Sequence, residues 1–460
     1  MGSDTLRVAV VGGGPAGLTL GRALRRLGLP FRIFERHSGV GGIWDIESPG
    51  SPMYESAHFI SSSRLSHFAG YPMPPGTPDY PGHAQVLRYV RGFAAREALL
   101  PHVELSTMVR AAQRDTSGWR LSLHTAAGER EERFTHLVCA TGTAWKPKLP
   151  AWSGDFAGEL LHSSAYRRRA RFAGKRVLVV GAGNSGCDIA CDAAQSADAA
   201  FISMRRGYHF IPKHLFGMPA DVFAERTAWM PRGLQRRSFE LLLRRYHGDL
   251  RALGLMAPDH RVLESHPILN DQLLHHLRHG DVAAHRDVER VDGHRVHFVD
   301  GRSVEVDLVV CATGYATETP YLAAGTIPER AGRPDLHLNM ISREDPALFA
   351  SGFLESNSGL FKLLDQKAHV IAHALAASRE PKAHARLRRM VEGTRPDVSG
   401  GIRYVASARH ANYVNIRAYR RALHRLARRM RWPAFDPSAL FPDAPAFAPA
   451  PSLLPSGSEG

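Results

Sequence analysis

Val8-Ala-Val-Val-Gly12-Gly-Gly14-Pro-Ala-Gly17 and Arg176-Val-Leu-Val-Val-Gly181-Ala-Gly183-Asn-Ser-Gly186 repeat one pattern, 169 residues apart. In each, a β-branched apolar run reads as a strand and ends in glycines spaced GxGxxG. Working outward from the first, a helical pattern runs from Ala16 to Leu27 and a second strand spans Phe31–Phe34. After the second come a helix through Ala193 and a strand at Ala199–Ser203. Strand, glycine turn, helix and strand in that order form the βαβ unit of a parallel sheet. A further matched pair, Leu137-Val-Cys-Ala-Thr-Gly142 and Leu308-Val-Val-Cys-Ala-Thr-Gly314, closes stretches of short alternating strands such as Arg295–Val299 and Val304–Val306. The pattern predicts an α/β fold with two Rossmann-like dinucleotide-binding domains, one inserted into the other.

The glycines have separate tasks. The first makes a tight turn, the second admits a pyrophosphate to the backbone, and the third packs helix on strand. The helix N-terminus then offers free N–H groups and its dipole to the phosphates. Gly12, Gly14, Pro15, Ala16 and Gly17 are therefore expected at one cofactor, and Gly181, Gly183, Asn184, Ser185 and Gly186 at the other. Glu35 ends the strand after the first turn, where a carboxylate accepts ribose hydroxyls, as in FAD. After the second turn no acid stands in that place; the sequence reads Ser203-Met204-Arg205-Arg206-Gly207. A 2′-phosphate repels a carboxylate and favours a guanidinium, which points to NADPH, with Arg205 as first contact and Arg206 as second.

Two dinucleotides on one chain imply hydride transfer from nicotinamide to flavin, and no metal site is expected. His275, His276 and His279 form the densest histidine group, but no carboxylate or cysteine completes a ligand set. The cysteines, Cys139, Cys187, Cys191 and Cys311, include no CxxC pair and read as structural thiols. The net charge is +15, from 59 Lys and Arg against 44 Asp and Glu. The basic residues are scattered without an aromatic-interleaved strip, so no nucleic-acid partner is expected. No apolar run approaches the ~18 residues that span a bilayer. With no secretory signal either, the reading is a cytoplasmic protein with no membrane partner.

The nesting places the FAD domain at residues 1–166 and 303–432 and the NADPH domain at 167–302. Within the latter, 221–278 reads as a helical insertion shaping a substrate entrance. Residues 433–460, rich in Pro, Ala and Ser, read as a disordered tail.

Between the turns lies Phe156-Ala-Gly158-Glu-Leu-Leu-His162-Ser-Ser-Ala-Tyr166. It resembles the FxGxxxHxxxF/Y motif of the flavin-containing monooxygenases, among the class B flavoprotein monooxygenases. Gly41-Gly42-Ile43-Trp44 is similar to that family's flavin-contacting segment, and Cys311-Ala-Thr-Gly-Tyr315 to its interdomain linker. The resemblance, over residues 6 to 375, implies that Gly42, Ile43, Trp44, Phe59, Thr313 and Gly314 contact cofactor. It also implies reduction of FAD by NADPH and reaction with O2 at the flavin C4a position to give a hydroperoxide. One oxygen atom then passes to a soft nitrogen or sulfur centre of a small molecule. Related Baeyer–Villiger ketone oxygenases end the motif in Trp, which favours the heteroatom reading for Tyr166.

One segment departs from the family. Its pattern YxSxxTNxS aligns with Tyr54-Glu-Ser56-Ala-His58-Phe59-Ile60-Ser61-Ser62, which sets Phe59-Ile60 on the Thr-Asn pair. The resemblance gives that Asn a hydrogen bond near the reacting edge of the flavin, and Ile60 has no donor or acceptor. Ser61, Ser62 or His58 replaces it if the loop shifts by a residue. Otherwise the lost bond, worth a few kcal/mol, leaves an NADPH oxidase or dehydrogenase without productive oxygen transfer.

Overall fold

The computed structural model describes residues 6–330, 332–356, 358–405, 407 and 412–440. Two sheets organise the molecule, the first parallel except at its Leu336–His337/Ile341–Ser342/Leu348–Ala350 edge, where the pairings are antiparallel. The first runs in the order Leu336–His337, Ile341–Ser342, Leu348–Ala350, His136–Cys139, Val8–Val11, Phe31–Phe34, Val103–Glu104. The second runs Val282–His285, Ala199–Ser203, Arg176–Val180, Leu308–Cys311, Glu159–His162, parallel throughout. Both predicted glycine turns leave a central strand, Val8–Val11 or Arg176–Val180. Helices cover both faces of such sheets, so the central strands read as unbroken apolar runs. All four residues of Val8–Val11 are buried, each of the three Val side chains contributing roughly 1.5–3 kcal/mol.

The second sheet reaches beyond the expected segment 167–302. It takes Glu159–His162 from before and Leu308–Cys311 from after it, because Leu308 pairs with Glu159 and Cys311 with His162. The chain crosses between the units at a two-stranded antiparallel pair, Lys146–Pro147 with Tyr315–Ala316.

The expected insertion is helical over Ala220–Arg226 and Arg232–His247. Its last helix, Gln272–His279, buries Leu273, Leu274 and Leu277 in the core of the second sheet and leads into the strand Val282–His285, so it belongs to the module itself. The tail is docked as far as residue 440: His369 Nε2 lies 2.9 Å from the Pro433 carbonyl, and Arg26 donates to the carbonyls of Ala439 and Leu440. The remainder of the predicted tail, 441–460, lies outside the described residues.

Candidate active site

At the first turn Gly12 has φ +115°, and a Cβ there would meet the Ala140 carbonyl at 2.7 Å. Gly181 repeats this at the second turn, with φ +108° and Ala312 O at 2.5 Å. The two Ala-Thr-Gly segments therefore back the two turns, and a side chain at either glycine is excluded by sterics and dihedral together. The helices that follow, Pro15–Arg26 and Asn184–Ala194, start from Gly14 and Gly183. Neither has a side-chain cap or an acid in its first turn. Their N–H groups and dipoles are unspent, a donor set that suits a pyrophosphate at each turn.

Around the first turn, Glu35 is buried. Its Oε2 accepts from Gly13 N at 2.7 Å and its Oε1 from His37 N at 2.9 Å, which fixes the carboxylate beside the turn. Gly41 N donates to Gly13 O at 3.1 Å, and a Cβ on Gly42 would lie 2.9 Å from Gly14 Cα. The short turn Gly42–Trp44 is thus set directly on the glycine turn, although 25 residues separate Gly17 from Gly42 in sequence.

The Phe59 ring, expected against the cofactor, is buried edge-on to Trp44 (4.8 Å) and Phe361 (5.6 Å). Ile60 follows, half-buried. Among the three polar candidates to replace the family's Asn, Ser61 shares a 2.6 Å hydrogen bond with Ser66, and His58 faces Lys213. Ser62 is fully buried with its backbone N–H on Asp221 at 2.7 Å, while its Oγ has no hydrogen-bond partner among the described residues.

At the second turn the Asn184 side chain is already committed. Its Nδ2 donates to Pro267 O and its Oδ1 accepts from Leu269 N, which fixes the amide at the start of the helix and leaves one N–H of Nδ2 over. Arg205 is exposed at the end of its strand, with no hydrogen bond or ion pair among the described residues. Arg206 lies over the Tyr208 ring, 5.3 Å from its centre. Thr313 and Gly314, expected at the cofactor, also hold the crossover. Thr313 Oγ1 donates to Lys148 O, and Gly314 O accepts from Lys148 N at 3.0 Å.

The Phe156–Tyr166 motif fastens the same crossover. His162 Nδ1 accepts from Ser164 N, so Nε2 carries the proton and donates to Gly314 O at 3.1 Å. Burial holds the His162 pKa below its ordinary value, with the Gly314 bond working against it, and the ring is neutral. Tyr166 is buried, stacked on Phe172 at 4.9 Å, and donates to Asp192 at 2.8 Å. Its hydroxyl pKa is raised, first by burial and then by Asp192. All four cysteines are buried; burial pushes Cys139 and Cys311 up to about 12, which leaves them as unreactive thiols.

Nested modules, backed glycine turns and the motif astride the crossover now stand together. A model described as FMO-like, flavin-binding monooxygenase-like, matches residues 5–392. The chain belongs to the flavin-binding monooxygenase-like family. It is 32% identical over 325 residues to indole-3-pyruvate monooxygenase YUCCA8 of Oryza sativa subsp. indica, covering 68% of this chain and 76% of that one. It is also 32% identical over 337 residues to human flavin-containing monooxygenase 5, covering 69% of this chain and 63% of the human one. Among solved structures it is similar to OTEMO in complex with FAD and NADP, with a TM-score of 0.67, 18% identity, and coverage of 93% of this chain and 98% of that one. It is likewise similar to S-allyl-L-cysteine S-oxygenase from Allium sativum, with a TM-score of 0.63, 21% identity, and coverage of 95% and 91%. These two likenesses bear on the fold alone. The protein is a flavin-containing monooxygenase, its cofactors are FAD and NADPH, and its substrates are O2 and a small molecule. Among the described residues no helix is long and apolar enough to cross a membrane.

The residues that sequence reasoning missed bind one unit to the other: Asp188 and Asp192 to Tyr54 and Ser56, Lys213 to His58, and Asp221 to Ser62. No motif marks them. The single available signal was acid at i and i+4 on the helix after the second turn.

Proposed function

We propose that this monooxygenase holds FAD at Gly12–Gly17 and NADPH at Gly181–Gly186 and transfers one oxygen atom to a soft nitrogen or sulfur centre. Bound FAD supplies a route for two electrons from NADPH and the activation of O2. In this reading Glu35 holds the FAD ribose, and Gly42, Ile43 and Trp44 lie along the flavin. Arg205 reaches the 2′-phosphate of NADPH, its guanidinium having no other partner among the described residues. Phe59 and Ile60 keep water from the flavin face, which protects an activated oxygen from hydrolytic loss.

The observation that carries the heteroatom reading is Tyr166. It ends the identifying motif where the ketone oxygenases have Trp, and it is buried with its hydroxyl on Asp192. The test compares NADPH-driven turnover with a dialkyl thioether, a tertiary amine and a cyclic ketone. Sulfoxide or N-oxide formation supports the proposal, and turnover confined to lactone formation from the ketone refutes it. A second reading, NADPH oxidation with release of hydrogen peroxide, is favoured by Ile60. The Ser62 hydroxyl, buried two residues on and without a hydrogen-bond partner among the described residues, is the polar group available to compensate.

A further inference from the structure

Between Tyr54 and Phe59 the chain changes core. Tyr54 and Ala57 pack with Leu161, Tyr166, Ile189 and Ala190 under the second sheet. Phe59 packs with Phe68, Tyr89 and Phe361 in the other unit. The side chains of the first half are held by the helix that opens from the second glycine turn. Tyr54 donates to Asp188 at 3.1 Å, and Ser56 donates to Asp192 at 2.6 Å. The backbone of the second half is held elsewhere, with Phe59 N on Pro81 O at 3.0 Å and His83 N on Ala57 O at 2.9 Å.

His58 stands at the change-over. Its Nδ1 lies 2.9 Å from Ser56 O, a carbonyl that can only accept, so Nδ1 carries the ring proton. Its Nε2 therefore accepts, and Lys213 Nζ donates to it at 2.6 Å. The Lys213 carbonyl accepts from Ala220 N at 2.9 Å, at the start of the helix Ala220–Arg226, which holds the next part of the loop through Asp221 and Ser62 N. The seam is polar and open: a cavity of about 320 Å³ is lined by Ser56, His58, Asp188, Asp192, Lys213 and Gln272 among others. Bonds across a polar, open seam break and reform more readily than apolar packing does, as at interfaces between mobile domains.

We infer that His58 and Lys213 form a strut that sets the Phe59–Ile60 face according to where the NADPH-binding unit sits, making both positioning residues for hydride delivery. The inference rests on NADPH occupying the second glycine turn. A nicotinamide misplaced by an ångström loses rate on the order of 10²-fold, so losing the strut slows hydride transfer while leaving the binding of either cofactor intact.

The experiment is anaerobic stopped-flow reduction of the FAD-loaded enzyme by saturating NADPH, which does not depend on the fate of oxygen. Lys213→Met removes the donor and His58→Phe the acceptor. His58→Gln restores an acceptor at similar reach. The expected result is a drop of about tenfold or more in the limiting reduction rate for the first two, with FAD content and the dissociation constant for NADP⁺ little changed. The double variant is no slower than either single one, and His58→Gln stays near wild type. Unchanged reduction rates, or losses that multiply in the double variant, overturn the strut. If His58→Phe does not fold, Lys213→Met against His58→Gln decides the matter alone. An enzyme without saturable NADPH binding overturns the cofactor assignment, a result separate from a normal dissociation constant with an unaltered rate.

Discussion

Lys367 is fully buried in the helix Phe361–Ala377, whose first residue packs on Phe59. Its amine donates to Asn339 O at 2.7 Å, under a hairpin in which Leu338 and Asn339 both take positive φ. Burial lowers its pKa from 10.5 to about 7. Between those values the unfolded chain keeps a proton that the native protein has released, so stability rises with pH across this window. At about 1.4 kcal/mol per pH unit the cost of the buried charge approaches a ceiling of about 5 kcal/mol below pH 7 and vanishes above pH 10.5. Lys367→Met removes that cost but leaves the Asn339 carbonyl without its donor, a loss of roughly 1–3 kcal/mol at every pH. The variant should therefore melt a few degrees above wild type at pH 6 and below it at pH 10. Paired thermal melts at pH 6, 8 and 10 measure this, and a difference in Tm of the same sign and size at all three pH values refutes the reasoning.

Three further outcomes follow from the site. Arg205→Ala should raise the KM for NADPH about 10- to 100-fold, the worth of a charge-assisted contact, with NADH nearly unaffected in steady-state kinetics. Gly12→Ala forces a Cβ against Ala140 O at a dihedral L residues avoid. The purified variant should have lost most of its flavin by the flavin-to-protein absorbance ratio, while Gly28→Ala, in open space at a similar sign of φ, should keep it. Tyr166→Phe leaves Asp192 with Ser56 alone and should cost about 1–3 kcal/mol of stability, seen as a lower Tm at unchanged flavin content.

Both modules were legible because glycine turns are a backbone requirement, and a backbone requirement shows in local sequence. Gly12 and Gly181 stand where only glycine fits, and the paired Ala-Thr-Gly runs prove to be the backing that makes them so. Side-chain commitments were not legible. Asn184 and Thr313 carry groups suited to a cofactor, and each also bonds a carbonyl or amide brought near by folding. The seam was invisible for the same reason. Tyr54 and Asp188 are 134 positions apart, Ser56 and Asp192 are 136, and His58 and Lys213 are 155. Nor was it legible that Glu159–His162 and Leu308–Cys311 join the second sheet, because neither gives a hint in sequence of which sheet it enters.

The fate of oxygen tests the account most directly. Wild-type enzyme turning over a thioether with NADPH under ¹⁸O₂ should place one labelled atom in the sulfoxide for nearly every NADPH consumed, with little hydrogen peroxide. Peroxide equal to the NADPH consumed, with no label in any product, would contradict it and would make Ile60 the residue that decides what this enzyme does.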